Sequence, residues 1–245
     1  MVSRQTRQKF KRRQKKYLLN EREYFREIRK LYRQWLNDWL VKIGQVIGMK
    51  LDAPSDWLGP LFANMASDFA VRVKRFSISI KKRANGISAL ATLQPSDDTI
   101  VDLSVNPWEF DMNVSNDIQD FVSENVALIT NIGNQTTQRM QTLVVDALKN
   151  GTTPNKLKKQ IMQVDRVFGK NRARLIARDQ MGKLQSQITR GRAERAGVEK
   201  YEWMTAGDHR VRSKHKALDG EERTWKQEPT PGSEIQCRCV AIPLI

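Results

Sequence analysis

The chain has 245 residues, room for one or two domains. Its 43 Lys and Arg outweigh 27 Asp and Glu, a formal charge of +16, and the apolar share is a modest 39% that still includes six Trp and eight Phe as core material. These figures argue against a wholly disordered chain. They also argue against a membrane span, which needs ~18–20 uninterrupted apolar residues, and against a disulfide framework, because Cys237 and Cys239 are the only cysteines.

A pI near 10 points to a polyanionic partner, with nucleic acid ahead of an anionic membrane surface. The charged N-terminus has no apolar core behind it, so no secretory signal is expected and synthesis is expected in the cytoplasm.

Half of the net charge sits at the start. Arg4, Arg7, Lys9, Lys11, Arg12, Arg13, Lys15 and Lys16 fall within thirteen residues that contain no acid. Only Phe10 interrupts them, so residues 1–19 are expected to be a flexible basic arm with no face to bury. Asn20 with Glu23 reads as a capping-box helix start. Tyr24, Ile28, Leu31, Trp35, Trp39, Ile43 and Val46 then advance by three or four, one face of a helix ending near Gly48.

Asp52-Ala53-Pro54 breaks the pattern, and Gly59-Pro60 opens a second helix through Leu61, Met65, Phe69, Val73 and Phe76. Residues 84–113 are less regular and read as a short helix and a loop, with Asn106-Pro107-Trp108 near its end. Ser115 is a good N-cap for the run from Ile118 to Leu148, which Gly133 is placed to divide. Thr153-Pro154 restarts a short helix, and after Gly169 a basic helix covers Asn171–Ala196.

The last fifty residues change character. Tyr201, Trp203 and Thr205 alternate with polar neighbours as in a half-buried strand, and Cys237–Ile242 is strand-like. The expected class is therefore α+β and mostly helical: long amphipathic N-terminal helices, then a C-terminal helical domain closed by a small β-sheet. Residues 20–112 form the expected helical N-terminal region. Its Trp35 and Trp39 are candidates for partner docking, with an intramolecular core as the other reading.

From about Asn113 onward several motifs occur in order. They are Phe121-Val122-Ser123-Glu124-Asn125-Val126-Ala127-Leu128-Ile129, Arg172-Ala173-Arg174-Leu175-Ile176-Ala177-Arg178-Asp179-Gln180, and Tyr201-Glu202-Trp203 behind Arg192 and Gly197. Asp208-His209-Arg210-Val211-Arg212, His215, Leu218-Asp219-Gly220, Pro231 and Cys237-Arg238-Cys239 follow. Each piece is weak alone, but the ordered set resembles the phage Mu protein F-like head-morphogenesis family, also called minor head proteins. On that resemblance residues 113–245 are the head-morphogenesis domain, with Arg178, Trp203, Asp208, Arg210, His215, Gly220, Cys237 and Cys239 as its signature positions.

The resemblance implies a low-copy protein inside the phage head, near the portal vertex. The implied partners are the portal, the major capsid or scaffold protein, and double-stranded DNA, with no membrane. Two positions depart from the family pattern: Asp179-Gln180 replaces Thr-Glu, and Glu234-Ile235 replaces His-Pro ahead of the paired cysteines.

His215, Cys237 and Cys239 are the sharpest candidate site. In a strand, residues i and i+2 share a face, so both sulfurs could meet one zinc ion with Asp208 or His209 as a fourth ligand. The alternative is that the thiols act as small buried hydrophobes and no cofactor is needed. Asp208, His209 and His215 also raise metal-dependent nuclease chemistry, which would want more carboxylates than are near; Asp208 and Asp219 can instead serve turns. Arg178 and Arg210 are expected to pair with Asp179 and Asp208.

The expected function is binding and positioning during virion assembly, packaging or ejection, with the basic residues contacting DNA without reading its sequence. A DNA-processing enzyme and a free-standing DNA-binding protein are the rivals.

Overall fold

The structure is a computed structural model that describes residues 4–48, 58–90, 112–150 and 152–244. In chain order these form α1 (Arg4–Gly48), α2 (Leu58–Leu90), α3 (Met112–Lys149) and α4 (Pro154–Val164), then a π-helical stretch (Asp165–Asn171) and α5 (Arg172–Arg195). The C-terminal cap adds β1 (Lys200–Met204), α6 (Ser213–Ala217), β2 (Glu222–Thr224) and β3 (Val240–Leu244). This is the mostly helical α+β class expected. No described helix is long and apolar enough to cross a membrane.

The elements divide into two compact units built from discontinuous segments. One is helical and comprises Tyr24–Ile78 and Glu124–Ile176. The other comprises Met1–Glu23, Ser79–Ser123 and Ala177–Ile245, and contains the cap.

In the helical unit the three-to-four spacing of α1 is realised as a buried stripe of Tyr24, Ile28, Trp35, Trp39 and Ile43, with Tyr32 buried in place of the half-buried Leu31 and the Val46 side chain outside the described residues. Phe62, Met65, Phe69 and Val73 of α2 and Ile129, Ile132, Met140 and Val144 of α3 complete this core. Trp35 lies tilted on Phe69 with ring centroids 4.5 Å apart, and Tyr32 meets the same ring edge-on at 6.2 Å. Each fully buried side chain of this kind is worth about 1.5–3 kcal/mol.

The polar tips are satisfied inside the unit. Trp35 Nε1 donates to the Met65 carbonyl (3.1 Å), Tyr24 donates to Asn125 Oδ1 (2.7 Å), and the Tyr32 hydroxyl pairs with Thr136 (3.1 Å). Burial raises the Tyr32 pKa, so its hydroxyl stays protonated. Arg29 grips Asp165 through two bonds of 2.6 and 2.7 Å.

Several local expectations are corrected. Trp35 and Trp39 are 0% and 5% exposed, and Trp39 Nε1 donates to Asp68 (2.9 Å). They are core residues of their own unit, not a docking surface.

Gly133 does not divide α3. It is buried where a Cβ would run into the Phe69 ring, so it is a contact glycine that lets the α2 aromatic approach the α3 backbone. Gly169 does not break the chain either. It lies within the π-helical stretch, where a Cβ would meet the Tyr32 ring and the Arg29 guanidinium.

The first helix begins at Arg4 and not at Asn20, so described residues of the expected flexible arm form the first turns of α1. α2 continues to Leu90, and α3 starts at Met112, ahead of the expected Ser115 cap. Asp52-Ala53-Pro54, Pro95, Asp97-Asp98 and Asn106-Pro107-Trp108 lie outside the described residues.

Candidate functional site

The cap is built on β1, the central strand of an antiparallel sheet ordered β2-β1-β3, with Trp203 opposite Ala241 and Glu202 flanked by Glu222 and Ile242. The expected alternation in β1 is not seen, because Tyr201, Glu202, Trp203 and Met204 are all buried. The reason lies in α1. Arg7 Nε donates to the Glu202 carboxylate at 2.6 Å, and Phe10 joins a cluster with Tyr201, Trp203, Trp225 and Ile242.

Thr6 and Phe10 are both buried one helical turn apart. Phe10 therefore pins the basic segment to the cap instead of interrupting a mobile arm. Arg4, Lys11, Arg12 and Lys15 are left exposed on α1, while Arg7 is committed to Glu202. The Lys9, Arg13 and Lys16 side chains lie outside the described set.

The cap's loops are tied by charge and by backbone geometry. Asp219 Oδ1 accepts from the Thr205 N–H (2.8 Å), and Gly220, at φ +89°, sends its own N–H to the Trp203 carbonyl (2.8 Å). Only a glycine takes that φ without strain. Asp208 receives two bonds of 2.6 Å from Arg238 and one of 3.0 Å from the Arg210 backbone N–H. The Arg238 guanidinium beside it holds the Asp208 carboxyl below its ordinary value.

The expected pairings are thus replaced. Asp208 is held by the Arg238 side chain and not by that of Arg210. Arg178 donates to Glu21 (3.3 Å) and Gln236 (3.2 Å), and Asp179 accepts from the Gln236 N–H (2.9 Å) and pairs with Lys183. With both carboxylate oxygens engaged by Arg238, Asp208 does not join the cysteine cluster, and His209 is exposed.

His215, Cys237 and Cys239 come together. All three are buried, and their ligand atoms lie within 4.8 Å of one another. The convergence has a different origin from the one expected, because the cysteines precede β3 instead of lying in it. Gln236 takes φ +58°, and Gly182 of α5 sits where a Cβ would come within 2.9 Å of the Cys237 carbonyl. Ser186 of α5 donates to the Pro231 carbonyl. This loop is therefore clamped against α5.

His215 Nδ1 is 3.5 Å from Cys237 Sγ and 3.6 Å from Cys239 Sγ. Its other nitrogen, Nε2, lies 3.0 Å from Glu234 Oε2. A carboxylate only accepts, so Nε2 carries the proton and the Nδ1 lone pair faces the sulfurs. Lys214 and Arg212 also donate to Glu234, and the Lys214 hydrogen bond is the largest influence lowering its pKa.

Hydrogen bonding from Cys239 holds the Cys237 thiol below its ordinary value, while the same contact and burial push Cys239 upward. Backbone N–H groups of Gly232 and Cys239 favour the Cys237 thiolate, and the Ala206 backbone favours that of Cys239. The three residues border a cavity of about 220 Å³ shared with Arg178, Arg210, Arg212 and Arg238. Sequence reasoning found the imidazole and thiols but missed Glu234, which stands at one of the departures from the family pattern. Its place 19 residues from His215 has no periodic signal.

Residues 138–242 match the family model described as Phage Mu protein F like protein. An uncharacterised protein of Haemophilus influenzae is 34% identical over 137 residues, which is 54% of this chain and 30% of that protein. The chain thus spans less than a third of that relative's length. No solved structure matches. The matched segment carries α5, the cysteine pair and nearly all of the cap, and takes in the motifs from Arg172 to Cys239.

Proposed function

We propose that this chain is a minor head protein of a bacteriophage that acts in head morphogenesis by binding, inside the capsid near the portal vertex. The observation that carries this reading is the family match over 138–242, a segment that includes the cap's His215 and its cysteine pair. Its partners on this reading are the portal protein and packaged double-stranded DNA.

The DNA contact falls to α1. Arg4, Lys11, Arg12 and Lys15 are exposed on a helix whose Thr6 and Phe10 are buried, so the cations are displayed on an ordered support. Such a face binds phosphates by releasing counterions and is indifferent to sequence. The chemistry asked of it is adhesion, without turnover.

The test is to assemble phage particles with and without the chain and compare their protein and DNA content. The proposal expects the chain in purified heads, recovery with the portal, and particles that form without it but package or eject DNA poorly. Heads of normal DNA content and infectivity, from which the chain is absent, would overturn it.

A further inference from the structure

We propose that His215, Cys237 and Cys239 form a zinc site whose fourth ligand is a water molecule or small anion admitted from the adjoining cavity. Independently of any role in the phage head, the inference rests on the arrangement around one imidazole nitrogen. A tetrahedral zinc with sulfur at about 2.3 Å and nitrogen at about 2.0–2.1 Å separates those two ligands by roughly 3.6 Å. His215 Nδ1 stands 3.5 and 3.6 Å from the two sulfurs.

Hydrogen bonds account for one of the two nitrogen–sulfur contacts, the other thiol being bonded to its neighbouring sulfur. With Nε2–H given to Glu234, Nδ1 has a single lone pair and accepts from one thiol at a time, yet both sulfurs sit equally close. A cation between the three atoms satisfies all of them together.

The supporting shell agrees. Glu234 on Nε2 is the carboxylate–histidine arrangement that fixes the tautomer and ring orientation of a metal-bound imidazole, and Glu234 is itself anchored by Lys214 and Arg212. Paired thiolates select a soft ion such as zinc over magnesium, calcium or manganese.

The charges balance. Both cysteines bind as thiolates, and two thiolates with a neutral imidazole neutralise the ion. The loaded site is itself neutral, and the cavity it borders, lined also by four arginines, has room for a water molecule or small anion as the fourth ligand. Asp208 is not the fourth ligand, because both of its oxygens are held by Arg238.

The experiment uses the full chain, purified in reductant, stripped with chelator and titrated with Co²⁺ as a spectroscopic probe and then with Zn²⁺. Expected are one Co²⁺ per chain, thiolate-to-cobalt charge-transfer absorption with tetrahedral ligand-field bands, and loss of both as zinc displaces cobalt. Cys237→Ser or Cys239→Ser should abolish the charge-transfer signal. Glu234→Gln keeps the ligands and should weaken zinc binding about 10–100-fold. His209→Ala, at an exposed neighbour, should leave binding unchanged.

If the cysteine variants fail to fold, the wild-type titration and Glu234→Gln still decide. A folded, reduced wild-type chain that takes up no cobalt or zinc overturns the site, as does a Cys237–Cys239 disulfide that persists in reductant. Unchanged zinc affinity in Glu234→Gln would overturn the role assigned to that carboxylate.

Discussion

The helical unit and the cap are stabilised by different physics. In the helical unit, large side chains on a regular helical period fill one core, and polar groups serve to satisfy buried donors: Trp35 on a carbonyl, Tyr24 on Asn125, Tyr32 on Thr136. In the cap Tyr201, Trp203 and Trp225 are buried, but Glu202–Arg7 ties β1 to α1, and Asp208–Arg238 and Glu234–His215 fix the loops. A core made by apolar area responds chiefly to volume, with Arg29–Asp165 as the charge pair beside it. A cap made by directed bonds responds to charge and pH. The difference teaches where chemistry can be held, since the cap is the unit that orients named atoms.

The largest expected effect lies in the helical unit. Trp35→Ala should cost about 3–5 kcal/mol in denaturant unfolding, because it removes the ring against Phe69 and leaves a cavity. A cost below about 1 kcal/mol would return Trp35 to the role of a docking residue. Gly133→Ala should cost about 1–3 kcal/mol by forcing the Phe69 ring away, even though alanine is the better helix former. Stabilisation by that change would mean the contact is loose.

The cap should answer to charge. Asp208→Asn should cost about 1–2 kcal/mol at neutral pH, a figure held down because the carboxylate is partly open to solvent. The folded pKa of Asp208 is lowered, so its contribution is present above the unfolded value near 4 and is lost as pH falls through the folded value. Stability measured between pH 7 and pH 2 should therefore fall less steeply on the acid side in Asp208→Asn than in wild type. Parallel acid limbs would break the distinction drawn between the two units.

How much of this could be read from the chain follows the same division. The buried stripe of α1 from Tyr24 to Ile43 was legible, because a helical period and a buried face are one signal. Gly133 was not. A glycine inside a helical run is compatible with a break or with a close contact, and only the position of Phe69 decides.

Phe10 looked like a stray apolar residue among cations, because its partners Tyr201 and Trp203 are nearly two hundred residues away. In the cap, residue type pointed to His215, Cys237 and Cys239. Sequence proximity then misled, favouring Arg210 as the partner of Asp208 where Arg238 supplies the guanidinium. Ion pairs between loops carry no period, so Glu234 could not have been anticipated as the partner of His215.

The central claim is that an ordered cationic face on α1 binds DNA by charge alone. The measurement that tests it most directly is the affinity of the full chain for duplex DNA across a salt series, compared with a variant in which Arg4, Lys11, Arg12 and Lys15 are replaced by Gln. The account predicts binding that weakens steeply with salt, equal affinity for unrelated sequences, and a log–log salt slope reduced in magnitude by roughly 3–4 in the variant. An unchanged slope and affinity in the variant, with the fold intact, would contradict it.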